Sequence, residues 1–275
     1  MPRHASRAGD RLLLEHYDFP LEYRVPLPSR QAMATQGEYD YFKNIGADGM
    51  RHAVHKPWSD SQCGLYLMEL GAMMGLMPEG GRLLDMGCGT GWTSVLFAKR
   101  GYDVIGQDLV PEAIEAGRGL KQQNGLANLD FVSGDYESLT FNEEFDVVVF
   151  FDCLHHAVDE VGALRSAYRA LKPGGICITS EPGRGHERRS RAVMEEFGVT
   201  ERDMHPAKII RAAKKVGFRS FSVHPHASYL YISLYRQDQR GLLGKLFRIP
   251  GMRTLVGLFT VLLSKHQAGI TVLRK

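Results

Sequence analysis

The sequence predicts an α/β fold built on a largely parallel sheet. Three observations predict it. Short strand-like runs alternate with helical patterns of ten to fifteen residues, the mark of crossover units. The run FDVVVFFD at 145–152 has no polar alternation, as expected of a strand buried on both faces. The stretch LLDMGCGTGWTS at 83–94 joins a strand to a helix through Gly87, Gly89 and Gly91, a turn that feeds a sheet into a ligand site.

Each element has its own local reason. Residues 1–40 show weak periodicity and four prolines (Pro2, Pro20, Pro26, Pro28), which reads as an irregular arm. SQCGLYLMELGAMMGL at 61–76 carries apolar residues at helical spacing and stops at PEGG. RLLDM is a short strand, and TSVLFAKRG is a helix ending on Gly101. YDVIGQD is the second strand. PEAIEAGRGLKQQNG opens with a first-turn proline and closes on Asn-Gly, so it is a helix punctuated at both ends. LDFVSGD and FDVVVFFD are strands. GALRSAYRALKPGG is a helix ending in Pro-Gly-Gly, and ICITSE is the strand after it. AKIIRAAKKVGF is helical, FRSFSVHPH is a strand, and GITVLRK ends the chain as another.

On such a sheet the ligand lies at the carboxyl ends of the strands, where strand order reverses. The glycine turn, Asp108, Asp135 and Asp152 each end a predicted strand, so all four share one rim. Gly87 and Gly89 remove side chains where a ligand must approach the backbone, and Gly91 lets the next helix start close to the sheet. Asp108 follows Gly87 by 21 positions, the distance at which an acid meets a ribose diol. A dinucleotide-binding oxidoreductase would carry a third glycine three positions after the second, where this chain has Trp92. Asp85, two residues before the first glycine, suits a positively charged amino-acid group better than a pyrophosphate, which it would repel.

Here the chain resembles the class I methyltransferases that use S-adenosylmethionine, over roughly residues 60–225. LLDMGCGTG resembles the family's first motif, GQD the second, GDYE the third and FDVVVFFDCLHH the fourth, with ALKPGGICITSE as the helix–turn–strand that follows. The resemblance implies a Rossmann-like methyltransferase fold with a mostly parallel seven-stranded sheet, helices on both faces and an antiparallel last strand. It implies that the backbone around Gly87, Cys88 and Gly89, with Asp85 nearby, holds the methionine portion. Asp108 would take the ribose hydroxyls and Leu109 would pack on the adenine. Asp135 would face the adenine amino group with Tyr136 alongside, and Phe151 and Asp152 would sit beside the methionine end. The expected cofactor is S-adenosyl-L-methionine, with S-adenosyl-L-homocysteine as product.

The domain reading follows. Residues 1–59 form an N-terminal arm or lid and 60–226 an α/β core. Residues 227–268 are a helical insertion and 269–275 the last strand of the core sheet. In the arm, MRHAVHKPWSD at 50–60 mixes His52, His55, Lys56 and Trp58, which reads either as a lid that closes over the cofactor or as an exposed polar loop. His155 and His156 follow the fourth strand, where a transferred methyl would lie. Either is a candidate general base for a hydroxyl acceptor, because imidazole titrates near neutrality. The competing reading makes the pair a structural cap. His224 and His226 share a strand face but lack a third ligand, so no metal is expected.

Composition bounds the rest. The chain has 275 residues, 44% hydrophobic and 24% charged, ordinary for a globular protein able to bury a core. Its four cysteines form no C-x-x-C pair, so a reducing cytosol is the default compartment. The first twenty residues lack the apolar core of a signal peptide. From Arg236 onward eight basic residues face one acid, Asp238, so that segment carries +7 and the rest −4. A general nucleic-acid binder is therefore not expected, and a local basic element is. Within it, LLGKLFRIPGMRTLVGLFTVLLSK at 242–265 places Leu255, Leu258, Phe259, Leu262 and Leu263 on one helical face, with Pro250 and Gly251 splitting the segment into two short helices. That face meets the protein's own body, a twin subunit or a membrane surface, which would make the protein peripheral to the membrane. The expected activity is methyl transfer to a small-molecule or glycan acceptor, lipid-linked in the membrane case, at oxygen. The alternatives are a non-catalytic S-adenosylmethionine-binding accessory or sensor, and a nicotinamide-dependent oxidoreductase.

Overall fold

The computed structural model describes residues 29–227, 231, 241–264 and 267–275. Seven strands form one sheet: β1 (Arg82–Met86), β2 (Asp103–Asp108), β3 (Leu129–Ser133), β4 (Phe145–Phe151), β5 (Leu171–Ser180), β6 (Ser220–Pro225) and β7 (Gly269–Arg274). Their order is β3-β2-β1-β4-β5-β7-β6. Pairings from β3 across to β5 are parallel, and β7 runs antiparallel to both β5 and β6. The mostly parallel seven-stranded sheet with an antiparallel last strand is thus present as expected.

The helices are α1 (Ser29–Asn44), α2 (Gly46–Val54), α3 (Cys63–Met74), α4 (Trp92–Arg100), α5 (Pro111–Asn124), α6 (Glu160–Ala170), α7 (His186–Arg189), α8 (Arg191–Phe197), α9 (Pro206–Val216), α10 (Gly241–Leu246) and α11 (Met252–Ser264). A 3-10 turn covers Leu154–His156. Strand alternation divides the core between the two faces. Leu83, Val147 and Val149 join Leu70 and Met73 of α3, Phe97 of α4 and Ile114 of α5. Leu84, Met86, Val148 and Phe150 join Ala163 and Leu164 of α6 and Ile209 of α9. Every second residue of one strand faces one layer, as a period of two dictates.

Three regions differ from the sequence reading. The irregular arm contains α1, a sixteen-residue helix. Its own apolar pattern is weak, and tertiary contacts hold it: Tyr41 meets Phe197 edge-on at 5.5 Å, and the Tyr39 hydroxyl donates to the Leu109 carbonyl at 3.1 Å. A Cβ on Gly37 would lie 2.3 Å from the Gly198 carbonyl, so glycine is what lets α1 cross the end of α8. Between β5 and α9, where the sequence suggested no element, lie α7 and α8. Finally, α6 stops at Ala170, and Leu171–Gly175 already belongs to β5. Pro173 ends helical geometry before it, and the LKPGG stretch is absorbed as an irregularity between the pairs Phe145↔Leu171 and Val147↔Ile176.

The predicted split of the C-terminal segment is observed: Gly251 adopts φ +76° between α10 and α11. Register locates this segment. Ser180 pairs with Ile270, and Pro225 pairs with Gly269. The end of β6 and the start of β7 therefore lie on the same rim as the carboxyl ends of β1, β4 and β5. The strand ends that flank residues 226–268 thus both lie on the rim that carries the glycine turn.

Candidate active site

The rim holds a cavity of about 400 Å³, within the range of small-molecule sites. Its floor is the glycine turn. Gly87, Gly89 and Gly91 all have positive φ (66°, 56° and 82°), which a side chain resists. Gly87 also has no room: a Cβ there would stand 2.8 Å from that of Cys153. Gly89 is different. A Cβ would meet nothing within 4 Å, so the backbone there presents an open cradle to the cavity.

Asp108, at the end of β2, ties this cradle to the next turn. Its carboxylate accepts from the Gly89 N–H at 2.8 Å and from the Val110 N–H at 3.0 Å. Each oxygen keeps a further lone pair for a ligand hydroxyl. Burial raises its pKa, against these two hydrogen bonds, which lower it. Gln107, fully buried one residue earlier, accepts from Gly87 N–H at 3.3 Å and donates to the Gly134 carbonyl. Asp135 lines the cavity and accepts from the Glu137 N–H at 2.8 Å, which shapes its turn. The Tyr136 ring lines the wall, with its hydroxyl donating to the Cys153 carbonyl at 3.1 Å. Asp152 sits at φ +54°, a strained value for a residue other than glycine, and its half-exposed carboxylate faces the cavity.

The histidines follow β4 on the same rim. Glu181, buried at the end of β5, accepts from the backbone N–H groups of Cys153, Leu154 and His155 at 3.3, 2.9 and 3.2 Å. It also lies 2.7 Å from His155 Nδ1. Three backbone donors favour the ionised carboxylate, although burial pushes Glu181 up to about 7. His155 therefore carries its proton on Nδ1 and turns Nε2 toward Glu201, 3.4 Å away. Burial pushes this imidazole down to about 3, with the charge on His156 adding to the effect, so His155 is neutral at ordinary pH. His156 behaves oppositely. Burial lowers it, but Glu38, Glu201 and the Thr200 carbonyl outweigh that and raise it to about 9. Its Nδ1 donates to the Thr200 carbonyl at 2.7 Å and lies 3.4 Å from Glu38 Oε1 on α1.

Comparison with known proteins fits this geometry. A family model described as a methyltransferase domain matches residues 84–179. The ubiquinone biosynthesis O-methyltransferase of Cereibacter sphaeroides is 37% identical over 117 residues, 42% of this chain and 47% of that protein. The Ruegeria pomeroyi protein of the same name is 34% identical over 114 residues. The chain thus spans about half the length of the curated relatives it matches. Among solved structures, Haemonchus contortus phosphoethanolamine N-methyltransferase 2 in complex with S-adenosyl-L-methionine superposes with a TM-score of 0.59 at 21% identity, covering 86% of this chain and 59% of that one. A chain of the Haloferax volcanii complex between the Trm112 methyltransferase activator and a methyltransferase gives 0.60 at 19% identity, covering 86% and 97%. Residues 84–179 thus match a methyltransferase domain, and the fold is shared with S-adenosylmethionine-dependent methyltransferases of known structure.

Gly87, Gly89, Asp108, Leu109, Asp135, Tyr136, Asp152, His155 and His156 all border this cavity. Three residues expected there do not. Asp85 is 1% exposed beneath the turn, and its carboxylate accepts from Thr93 Oγ1 at 2.7 Å and Ser94 Oγ at 2.6 Å. It therefore braces the start of α4 instead of facing a ligand, and burial raises it to about 6. Cys88 is buried, and its backbone N–H donates to the Gln107 carbonyl, so it closes the turn from behind. Phe151 stacks edge-on against Trp92 at 5.5 Å and Tyr66 at 6.3 Å, forming an aromatic wall behind Asp152.

The arm is only partly as expected. Lys56 lines the cavity, and the Thr90 hydroxyl donates to the Ala53 carbonyl at 2.8 Å. His55 bonds the Arg51 carbonyl, His52 faces Asp60 at 3.6 Å, and Trp58 is 69% exposed. The sequence reading missed Glu38, Tyr41 and Phe42 on α1 and His186, Val199 and Glu201 beyond β5, all cavity-lining. It also missed Glu181, whose one signal was an acid ending a strand, as in Asp108 and Asp152. His224 bonds Ser222, and His226 lies 3.2 Å from Glu69, so neither faces the cavity histidines. Ligand-type atoms of His155, His186 and Glu201 fall within 4.8 Å of one another. However, His186 Nε2 and Glu201 Oε2 stand 2.5 Å apart, a hydrogen bond. Ligands about 2.0–2.2 Å from one metal lie farther apart than that.

Proposed function

We propose that the protein binds S-adenosyl-L-methionine across Gly87–Gly89 and transfers its methyl group to a hydroxyl of a small-molecule or glycan acceptor. The observation that carries this reading is the Asp108 carboxylate, which spans the Gly89 and Val110 N–H groups at the edge of an open glycine cradle. A ribose diol donating to the remaining lone pairs completes that carboxylate. The adenine then lies over Leu109, toward Asp135 and Tyr136, and the methionine end runs over Gly87 toward Asp152. Bound there, the cofactor supplies an electrophilic sulfonium methyl.

The chain's own residues account for the rest. His155 is the neutral ring that takes up the acceptor proton, with the carboxylates of Glu181 and Glu201 offsetting the burial that keeps its basicity low. Glu181 fixes its tautomer, and its Nε2 faces the cavity beside Glu201, which disperses an arriving positive charge. His156 is unsuited, because it is already protonated below about 9. Helix α1 closes one side of the cavity through Glu38, Tyr41 and Phe42, limiting water and aligning acceptor with methyl.

The test uses isothermal calorimetry with S-adenosyl-L-homocysteine, followed by labelled methyl transfer into fractionated cell extract. Micromolar binding with label entering a hydroxyl-bearing small molecule or glycan supports the reading. Binding without transfer to any fraction would indicate a non-catalytic accessory protein, and absence of binding would refute the cofactor assignment.

A further inference from the structure

We propose that α11 docks the protein onto an anionic lipid surface, holding the cavity rim against it. Leu255, Leu258, Phe259 and Leu262 are 62%, 60%, 64% and 64% exposed. They follow one another at helical spacing, so they form a single stripe, and that stripe faces away from the protein. The opposite side of the same helix, at Val256 and Gly257, packs inward. An amphipathic helix whose apolar face points out is inverted relative to a helix covering a core, and needs an external occupant.

Charge selects the occupant. No aspartate or glutamate occurs from residue 239 to 275. Lys245 and Arg248 are exposed on the preceding turns, beside Ile249, which is 51% exposed. An apolar stripe in a segment whose charged residues are all basic complements an acyl layer beneath anionic headgroups. Each cation near such a surface raises affinity about fivefold. No described helix is long and apolar enough to cross a membrane, so α11 would lie in the interface plane. Topology supplies the consequence. The segment starts and ends at the rim between Pro225 and Gly269, where Glu69 accepts from the Ala227 N–H at 2.5 Å and from the Ser180 hydroxyl at 2.6 Å. Docking would bring the cavity mouth to the lipid. If the methyl-transfer reading above holds, the acceptor is then an amphiphile or a lipid-linked molecule.

The test is co-sedimentation of the full chain with vesicles of equal parts phosphatidylglycerol and phosphatidylcholine, against phosphatidylcholine alone, at low and high salt. Binding to the anionic vesicles at low salt, weakened about tenfold or more by high salt or by Leu258→Ser with Phe259→Ser, is the expected result. Both positions are exposed, so an unchanged thermal melt will show the variant folded. Wild-type protein that ignores anionic vesicles at low salt overturns the proposal. If light scattering then shows a dimer that the double variant dissociates, a second copy covers the stripe. Vesicle binding is read without cofactor or acceptor, so its failure is separable from failure of the methyl-transfer reading.

Discussion

The Asp108 carboxylate and the Gly89 backbone N–H, 19 residues apart in sequence, meet at 2.8 Å. This bond fixes the glycine turn relative to the end of β2, and a second, from Val110, fixes the start of α5. Asp108→Asn keeps one acceptor but replaces the other oxygen with a donor facing an N–H. The expected result is a roughly tenfold to hundredfold loss of S-adenosylhomocysteine affinity by calorimetry, equal to ~1.5–3 kcal/mol for a charge-assisted bond. Burial raises Asp108, so affinity should begin to fall at a higher pH than for a solvated aspartate as pH is lowered. A folded variant with wild-type affinity would remove Asp108 from the ribose.

The two cradle glycines should separate stability from binding. A methyl at Gly87 collides with Cys153, whereas one at Gly89 meets only open cavity. Gly87→Ala is expected to destabilise by several kcal/mol, since it adds the left-handed backbone penalty of ~1–2 kcal/mol to a steric clash. Gly89→Ala carries only that backbone penalty yet fills the cradle, so it should melt close to wild type and lose cofactor affinity by tenfold or more. Denaturation and calorimetry on both variants test this. Equal affinity in Gly89→Ala would move the ligand off the turn.

His155 and His156 are adjacent in sequence but should differ in kinetics. His155→Gln removes the neutral ring held by Glu181, and turnover should drop by ~10²–10⁴ with cofactor affinity nearly unchanged. His156→Gln should lower turnover far less, because that ring is already cationic. Single-turnover rates of labelled methyl transfer distinguish them, and the reverse ranking would show that His155 is only architecture.

The sheet was legible because buried strands, glycine punctuation and helix ends are local signals, and every strand from RLLDM to GITVLRK obeys them. The strand-end acids were legible for the same reason. What escaped were residues whose role depends on distant partners. Asp85 reads like a ligand contact until Thr93 and Ser94, in the next helix turn, take its carboxylate. Glu181 stands alone in sequence and acquires its role only when the Cys153–His155 turn folds onto it. α1 lacks a strong apolar face and becomes a cavity wall through Tyr41 against Phe197 and Gly37 against Gly198. Residues 1–28 of the expected arm lie outside the described residues.

The Glu38–His156 pair should make closure of α1 depend on pH. His156 is raised from 6.5 to about 9, against burial, by the carboxylates of Glu38 and Glu201 and by the Thr200 carbonyl. A histidine whose folded pKa exceeds its unfolded one binds its proton more tightly when folded. Its stabilisation is complete below about 6.5 and disappears as pH rises through about 9. Part of the ring is exposed, so solvent screening limits the effect to about 2 kcal/mol. Thermal melts should fall between pH 6.5 and 9 in the wild type, and that slope should flatten in His156→Gln. Glu38→Gln should flatten it as well, because it removes the largest favourable partner while leaving the Thr200 bond. Proteolysis within α1 should accelerate over the same pH window if the pair is what fastens the helix to the rim. A wild-type slope that survives both substitutions would assign the pH dependence to another group and leave α1 held by Tyr39 and Tyr41 alone.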